Sequence, residues 1–337
     1  MKSLLKRLSC AYGPTGSEGR VARLILDIIG EENATIDKAG NVIAKIPNEG
    51  KPRLVLNAHM DEVGFMVNEI TEDGTLHFEP LGGFDPIVLL GKRVVSENGV
   101  LGAIISKPYH LLSSDERAVF TEISEMEIDI GAKDKDDASK YVSVGDTFCF
   151  YSDFSELGEG YIKSKAIDDR GGCAILCSLY NELKDKADKL EYELYFAFTI
   201  REEIGLSGAH YVASKYNPDY VILIEGTTAN DLPSTPEHRR IAVSGKGGAI
   251  SYRDGGTIYN IDFINEIREK LDTAGINYQI KGFTYAGTDG SCFHGEGEGA
   301  RVAIFSLPSR YIHSQASVVK YSDIEDTRKA ILRVVTK

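Results

Sequence analysis

The chain has 337 residues, 42% apolar and 26% charged, enough to bury a substantial core and to build two domains. A formal charge of -13 with no Lys/Arg stripe leaves nothing to neutralise phosphates, which excludes nucleic acid as an expected partner and disfavours anionic membrane surfaces. No apolar run is long enough to span a bilayer, and the five cysteines (Cys10, Cys149, Cys173, Cys177, Cys292) are odd in number and scattered, which suggests no disulfide framework.

Met1 to Arg7 lacks the apolar core of a secretory signal, so a cytoplasmic location is the expectation. Gly13-Pro14-Thr15-Gly16 reads as a turn, with Ser17 as N-cap of an amphipathic helix whose Val21, Leu24, Ile25, Ile28 and Ile29 recur at helical spacing. Leu54-Val55-Leu56 reads as a buried strand leading into His59. From about residue 66 to 160 the texture changes to short β-rich pieces between Gly and charged turns, with Lys133 to Asp137 as a solvated loop. Longer elements then return: a helix from Asp168 to Leu183, in which Cys173 and Cys177 are packing residues, strands over 192–200 and 220–224, a helix over 260–273, a strand over 302–305 and a last helix from about Ser322. This pattern predicts an α/β domain formed by 1–65 and 161–337, interrupted by a small β domain at 66–160.

The chemistry sits where these elements end. His59-Met60-Asp61, Asp168, Glu202-Glu203, Glu225 and His313 each fall at the end of an expected strand or the start of a helix. In open α/β sheets the functional crevice lies outside the carboxyl ends of the strands, so residues distant in sequence are expected to converge there. Two imidazoles and several carboxylates suit a pair of Zn2+-like ions. Asp168 suits a bridging position, with His59 and Glu225 completing one site and Glu203 and His313 the other. Glu202 is left over as a base, and Asp61, two residues from His59 on the same strand face, can orient that imidazole. Each piece alone is ordinary scaffolding, and Asp168-Asp169-Arg170 alone reads as an acidic helix start. The combination in this order points to hydrolysis assisted by metal.

Together these residues resemble the M42 family of di-metal aminopeptidases, whose members also carry glutamyl aminopeptidase, endoglucanase-like and tetrahedral aminopeptidase labels. The resemblance rests on Gly13 to Glu18, Ala58 to Phe65, Ala166 to Arg170, Glu202-Glu203-Ile204-Gly205, Glu225 to Ala229, Gly287-Thr288-Asp289 and Arg310 to Ser314, and so covers nearly the whole chain. It implies a mixed-sheet metallopeptidase domain with helices on both faces and a β-barrel-like insertion that mediates dimerisation. It also implies His59, Asp168, Glu203, Glu225 and His313 as metal ligands, Glu202 as general base and Asp61 as the carboxylate behind the histidine. Two divalent ions per subunit, Zn2+ or Co2+, short peptide substrates and a homodimer assembling into a homododecamer follow from the same resemblance.

The chain departs from the family pattern at Arg201, where Gln is common, around Ala286 to Gly290, and at Gln315, where Pro is common. Arg201, Asp289 and His294 are the expected substrate-side contacts. A small-amide deacylase on the same site is the alternative reaction, and a non-catalytic assembly protein the alternative class. Ser244-Gly245-Lys246-Gly247-Gly248 lacks the spacing of a phosphate loop and is expected to be a turn.

Overall fold

Parallel strands covered on both faces need continuous apolar runs, and Leu54–Leu56, Val221–Ile224 and Val302–Phe305 supply them. The computed structural model describes the backbone of residues 1–337 and every side chain except those of Tyr109 and Glu116. In chain order the strands are β1 (Ala34–Ile36), β2 (Val42–Ile46), β3 (Arg53–His59), β4 (Gly64–Ile70), β5 (Leu76–Leu81), β6 (Arg93–Ser96), β7 (Leu101–Ile105), β8 (Glu127–Asp129), β9 (Thr147–Phe150), β10 (Ser155–Leu157), β11 (Tyr161–Ser164), β12 (Glu193–Thr199), β13 (Tyr220–Thr228), β14 (Gly248–Ile250), β15 (Tyr278–Ile280), β16 (Arg301–Arg310) and β17 (Ser317–Lys320). The α-helices are α1 (Lys2–Cys10), α2 (Gly19–Ile29), α3 (Lys135–Ala138), α4 (Ile167–Leu183), α5 (Ser207–Tyr216), α6 (Ile261–Ala274), α7 (Gly290–Gly295) and α8 (Tyr321–Val335).

Eleven strands form one mixed sheet in the order β1-β2-β12-β3-β13-β16-β17-β11-β10, with β14 and β15 joined at β16. Its centre, β12-β3-β13-β16, is parallel, and antiparallel strands flank it on both sides. Helix α4 crosses β3 and β13 with α1 and α2 against it, whereas α5 and α7 pack together against β12 and β16. The mixed α/β architecture expected from the sequence is therefore present. Strands β4 to β9 close separately into a six-stranded barrel in the order β4-β5-β8-β7-β6-β9. Its core centres on Phe65, whose ring lies 5.1 Å from Phe78, 4.8 Å from Phe84 and 5.5 Å from Phe150. Full burial of such rings contributes roughly 1.5–3 kcal/mol each. The barrel strands run from Gly64 to Phe150, and β10 and β11 belong to the large sheet through β17.

Several local expectations change. Helix α2 starts at Gly19 after Glu18 with no side-chain cap, while the Ser17 hydroxyl lies 3.0 Å from Thr147 Oγ1, across the junction with the barrel. The charged stretch 133–137 is not wholly loop: Asp134 caps the single turn α3 by accepting from Asp137 N at 2.9 Å. The glycine-rich turn cradles a carboxylate of its own chain, with Gly245 N and Gly247 N donating to Asp323 at 2.7 and 2.9 Å. Strand β13 continues to Thr228 through pairing with β16, so Glu225 lies within a strand and not beyond one.

Candidate metal centre

Buried central strands carry two of the site residues, and the loops leaving the sheet's carboxyl edge carry the rest. His59 ends β3 and is 1% exposed, and Glu225 projects from β13. Glu202 and Glu203 follow β12, Asp168 opens α4 and His313 follows β16. His59 Nε2 faces Asp168 Oδ1 at 3.2 Å and Glu225 Oε1 at 3.1 Å. His313 Nε2 faces Asp168 Oδ2 at 3.4 Å and Glu203 Oε1 at 3.3 Å. Asp168 thus stands between two imidazoles and turns one oxygen to each.

The backbone carries the strain of this convergence. Of the six non-glycine residues with positive φ, five flank the site: Ala166 (51°), Arg201 (55°), Leu206 (60°), Tyr311 (58°) and His313 (56°). Such conformations cost of order 1–3 kcal/mol each and persist where surrounding structure enforces them. The enforcement is visible. Asp61, fully buried, accepts from Glu202 N at 3.1 Å, Glu203 N at 3.2 Å and Thr15 Oγ1 at 2.8 Å, and lies 3.3 Å from His59 Nδ1. On the opposite wall, His313 Nδ1 donates to the carbonyl of Gly83, in the barrel segment after β5, at 2.8 Å. A carbonyl only accepts, so Nδ1 carries a proton, and Nε2, facing Asp168 and Glu203, is the nitrogen that gains or loses the second one.

Burial and mutual repulsion set the titration of the metal-free cluster. Burial, reinforced by Glu225, raises Glu202 well above the ordinary carboxyl range. Burial likewise pushes Glu225 up to about 8 and raises Glu203 and Asp169. Burial opposes ionisation of Asp168 too, but the two histidines outweigh it and hold Asp168 low. Burial also works against charging His313, and Asp168 and Glu203 overcome it, bringing this imidazole up to about 11. His59 is raised likewise, by Glu225, Asp168 and Asp61 against its burial.

Two overlapping groups of donor atoms, each within 4.8 Å of one another, arise here: His59, Asp168 and Glu203, and His59, Asp169 and Glu225. The Asp169 carboxyl is fully buried, with Oδ1 accepting from Gly172 N at 3.0 Å and Oδ2 without a partner. Buried carboxylates that push each other's ionisation up are costly unless a cation compensates them. The donor types, the crowding of anions and the partnerless oxygen fit divalent ions.

Asp169 is a residue that sequence reasoning missed, because a second Asp beside Asp168 carries no spacing signal of its own. Glu62, Lys165 and Arg170 were missed as well. Lys165 Nζ donates to Glu62 Oε1, and Arg170, 0% exposed, lies 3.5 Å from the same oxygen and donates to the carbonyls of Leu8 and Gly13 at 2.8 and 3.0 Å. This buried cluster ties the segment after β3 to the start of α4.

The site opens into a cleft of about 370 Å3 lined by Asp168, Glu202, Glu203, Glu225, Lys281 and His313, with Thr227, Thr228, Thr284 and Thr288 among its walls. Arg201 is exposed, does not line this cleft, and its backbone N–H donates to Glu18 Oε1 at 3.2 Å. His294 is exposed on α7, also outside the cleft. Asp289 is fully buried beneath it, accepting from Asn57 Nδ2 at 2.8 Å and Thr199 Oγ1 at 2.7 Å. None of these three therefore presents its side chain to the cleft. Asp289 is instead tied to Asn57 of β3 and Thr199 of β12, and His294 sits on α7, which packs against α5 and β16.

A family model described as M42 glutamyl aminopeptidase matches residues 40–330. The chain is 34% identical to the "Putative aminopeptidase" of Acetivibrio thermocellus, over 99% of this chain and 98% of that one. It superposes on the TET aminopeptidase of the archaeon Thaumarchaeota archaeon SCGC AB-539-E09 with a TM-score of 0.95 at 32% identity, covering 100% of this chain and 96% of that one. The TET1 peptidase of Pyrococcus horikoshii, described as assembling into a tetrahedron or a large octahedral shell, gives 0.89 at 31% identity, covering 100% and 99%. With the family's match spanning barrel and sheet alike, this chain belongs to the M42 peptidase family and is a peptide hydrolase of aminopeptidase type.

Proposed function

We propose that the chain removes N-terminal residues from short peptides with two divalent ions, held by His59, Asp168 and Glu225 on one side and by His313, Asp168 and Glu203 on the other, and with Glu202 as general base. The observation that carries this reading is the placement of Asp168 between His59 and His313, each imidazole having a second carboxylate of its own. Asp169 adds a fourth carboxyl on the His59 side. Zn2+ or Co2+ suits this mixed donor set, and two such ions, when bound, would polarise the scissile carbonyl and acidify a water.

The remaining steps fall to the chain's own groups. Glu202 lines the cleft, and its carboxylate belongs to neither donor group among the described residues, so it is available for proton transfer. It takes a proton from the attacking water and delivers it to the departing amine. Its burial keeps its proton affinity high enough for that return step. Asp61 holds the Glu202 and Glu203 backbone in place and orients His59 from behind.

The barrel, which spans Gly64 to Phe150 and so makes up most of the expected 66–160 insertion, we assign to dimerisation within a homododecamer. Exposed Leu101, Val119 and Phe120 in this region support that assignment. The protein should then sediment far above the 36.9 kDa of one chain. A monomer at micromolar concentration would overturn the assignment. A cytoplasmic location accords with five unpaired cysteines. Among the described residues no helix is long and apolar enough to cross a membrane.

The test of the activity is a panel of free and N-acetylated peptides given to metal-reconstituted protein. Free peptides should lose their N-terminal residue and blocked ones should be inert. Glu202→Gln should lower kcat by about 10²–10⁴-fold with metal content unchanged. Turnover of blocked peptides would point instead to a deacylase, and an active Glu202→Gln would remove the role given to Glu202.

A further inference from the structure

A second cavity, of about 390 Å3, lies at the opposite edge of the large sheet, where β12 begins, and shares no lining residue with the metal cleft. Helix α6 and the end of α8 form its walls, and Tyr192 and Phe263 its apolar base. The Tyr220 ring joins the two base residues, 5.5 Å from Tyr192 and 4.9 Å from Phe263. The length of β12, about 20 Å of strand, separates this cavity from the turn that carries Glu202 and Glu203.

Five charged side chains line the cavity, and only two of them meet. Lys270 Nζ donates to Glu191 Oε2 at 2.6 Å and to Val334 O at 3.0 Å, so this pair neutralises itself. Among the described residues no ion pair engages Glu266, Glu269 or Arg333, although all three border the same space. Glu266 and Glu269, three apart on α6, are neighbours on one helix face, and their charges repel. The Arg333 guanidinium makes one hydrogen bond, from Nη1 to Thr336 O at 3.3 Å, which leaves most of its donors for another partner. The Tyr192 hydroxyl has no described hydrogen bond either, in a residue only 8% exposed. Burial, with Glu191 nearby, raises this phenol to about 12, so it keeps its proton at neutral pH and can donate.

From this arrangement we infer that the cavity binds a free α-amino acid with an apolar side chain. Its ammonium goes to Glu266 and Glu269, its carboxylate to Arg333, and its side chain onto Tyr192 and Phe263.

The unpaired charges select this class. An amine alone would leave Arg333 facing a cation, and a carboxylate alone would meet two like charges. A wholly apolar ligand would strip water from all three and return nothing. A zwitterion answers both signs at once, and a guanidinium takes a carboxylate through two parallel hydrogen bonds. The volume is that of an ordinary small-molecule site. This inference does not depend on the aminopeptidase reading, although such amino acids are what that reaction releases.

A metal cleft that releases amino acids also admits them, so the test must separate the two places. Crystals of the metal-loaded protein soaked in L-selenomethionine should show an anomalous selenium peak between α6 and α8, whatever the cleft shows. No peak there at saturating concentration overturns the inference. Excess L-leucine should displace that selenium, whereas L-leucinamide and N-acetyl-L-leucine, each lacking one charge, should not. Equal displacement by the blocked compounds would show that the charges do not select, and the inference falls. In solution, Arg333→Gln should weaken calorimetric binding of L-leucine at this cavity by about 10–100-fold, the range of one charge-assisted contact. The paired change Glu266→Gln with Glu269→Gln should act likewise. Peptide hydrolysis should keep its kcat/KM in both variants, since none of these residues lines the cleft. Variants that bind L-leucine with all of the wild-type affinity would sink the proposal and leave the catalytic reading untouched.

Discussion

Asp61 makes more contacts that matter than any proposed ligand, although it would touch neither metal nor substrate. One carboxylate fixes the backbone of Glu202 and Glu203 and faces His59 Nδ1 at 3.3 Å. Asp61→Asn keeps the volume but removes the charge behind the imidazole. The expected outcome is a metal affinity lower by about 10–100-fold, read by competition with a chromophoric chelator, the usual cost of losing such a partner. Unchanged affinity would reduce Asp61 to a loop anchor. His59, Asp61, Asp168, Glu202, Glu203, Glu225 and His313 could all be singled out before any coordinates, because each stands in the sequence where an expected strand ends or a helix begins. Asp169, Glu62, Lys165 and Arg170 could not. Their meaning comes from contacts between distant segments, such as Lys165 with Glu62, 103 positions apart, and such contacts leave no trace in spacing.

At the level of elements, the parallel strands were readable because burial on both faces demands uninterrupted apolar sequence, and β3, β13 and β16 obey. The end of β13 was not. Gly226-Thr227-Thr228 looks like the exit from a strand, yet pairing with Leu307, Pro308 and Ser309 keeps it extended. Tertiary pairing overrides local preference there. The glycine in this extension has a steric role: a Cβ on Gly226 would meet Asp168 carboxyl atoms at 2.5–2.7 Å, and Gly226 N donates to Asp168 Oδ1 at 3.2 Å. Gly226→Ala should therefore displace Asp168 from between the two histidines. We expect loss of at least one bound ion by elemental analysis with the fold retained by circular dichroism. Full metal occupancy in that variant would show that α4 yields and the site tolerates the shift.

For the molecule as a whole, the cluster makes stability depend on metal and pH together. In the metal-free chain Glu225 is raised to about 8, so the folded state holds a proton that the unfolded chain releases near 4.3. Its contribution to stability therefore declines as pH rises from about 4.3 to 8. His313, raised to about 11, contributes stability that is complete below about 6.5 and is lost on the way to 11. Both act in the same direction, so metal-free protein should melt at lower temperature at pH 8 than at pH 6. Saturating Zn2+ or Co2+ should stabilise more at pH 8, because the ligands bind in deprotonated form, with about 2.7 kcal/mol expected at a hundredfold excess over Kd. Equal metal-induced shifts in Tm at both pH values would contradict the ligand set.

The hydrogen bond from His313 to Gly83 has a practical consequence for anyone seeking a minimal enzyme. Trimming the barrel away would look like removing an accessory, since its strands close on themselves. It would in fact delete the carbonyl that dictates which nitrogen of His313 keeps its proton. A chimera that exchanges barrels between relatives inherits the same obligation. The donor of the new barrel must bring its own Gly83 equivalent to the same place, or the proposed ligand His313 loses the partner that orients it.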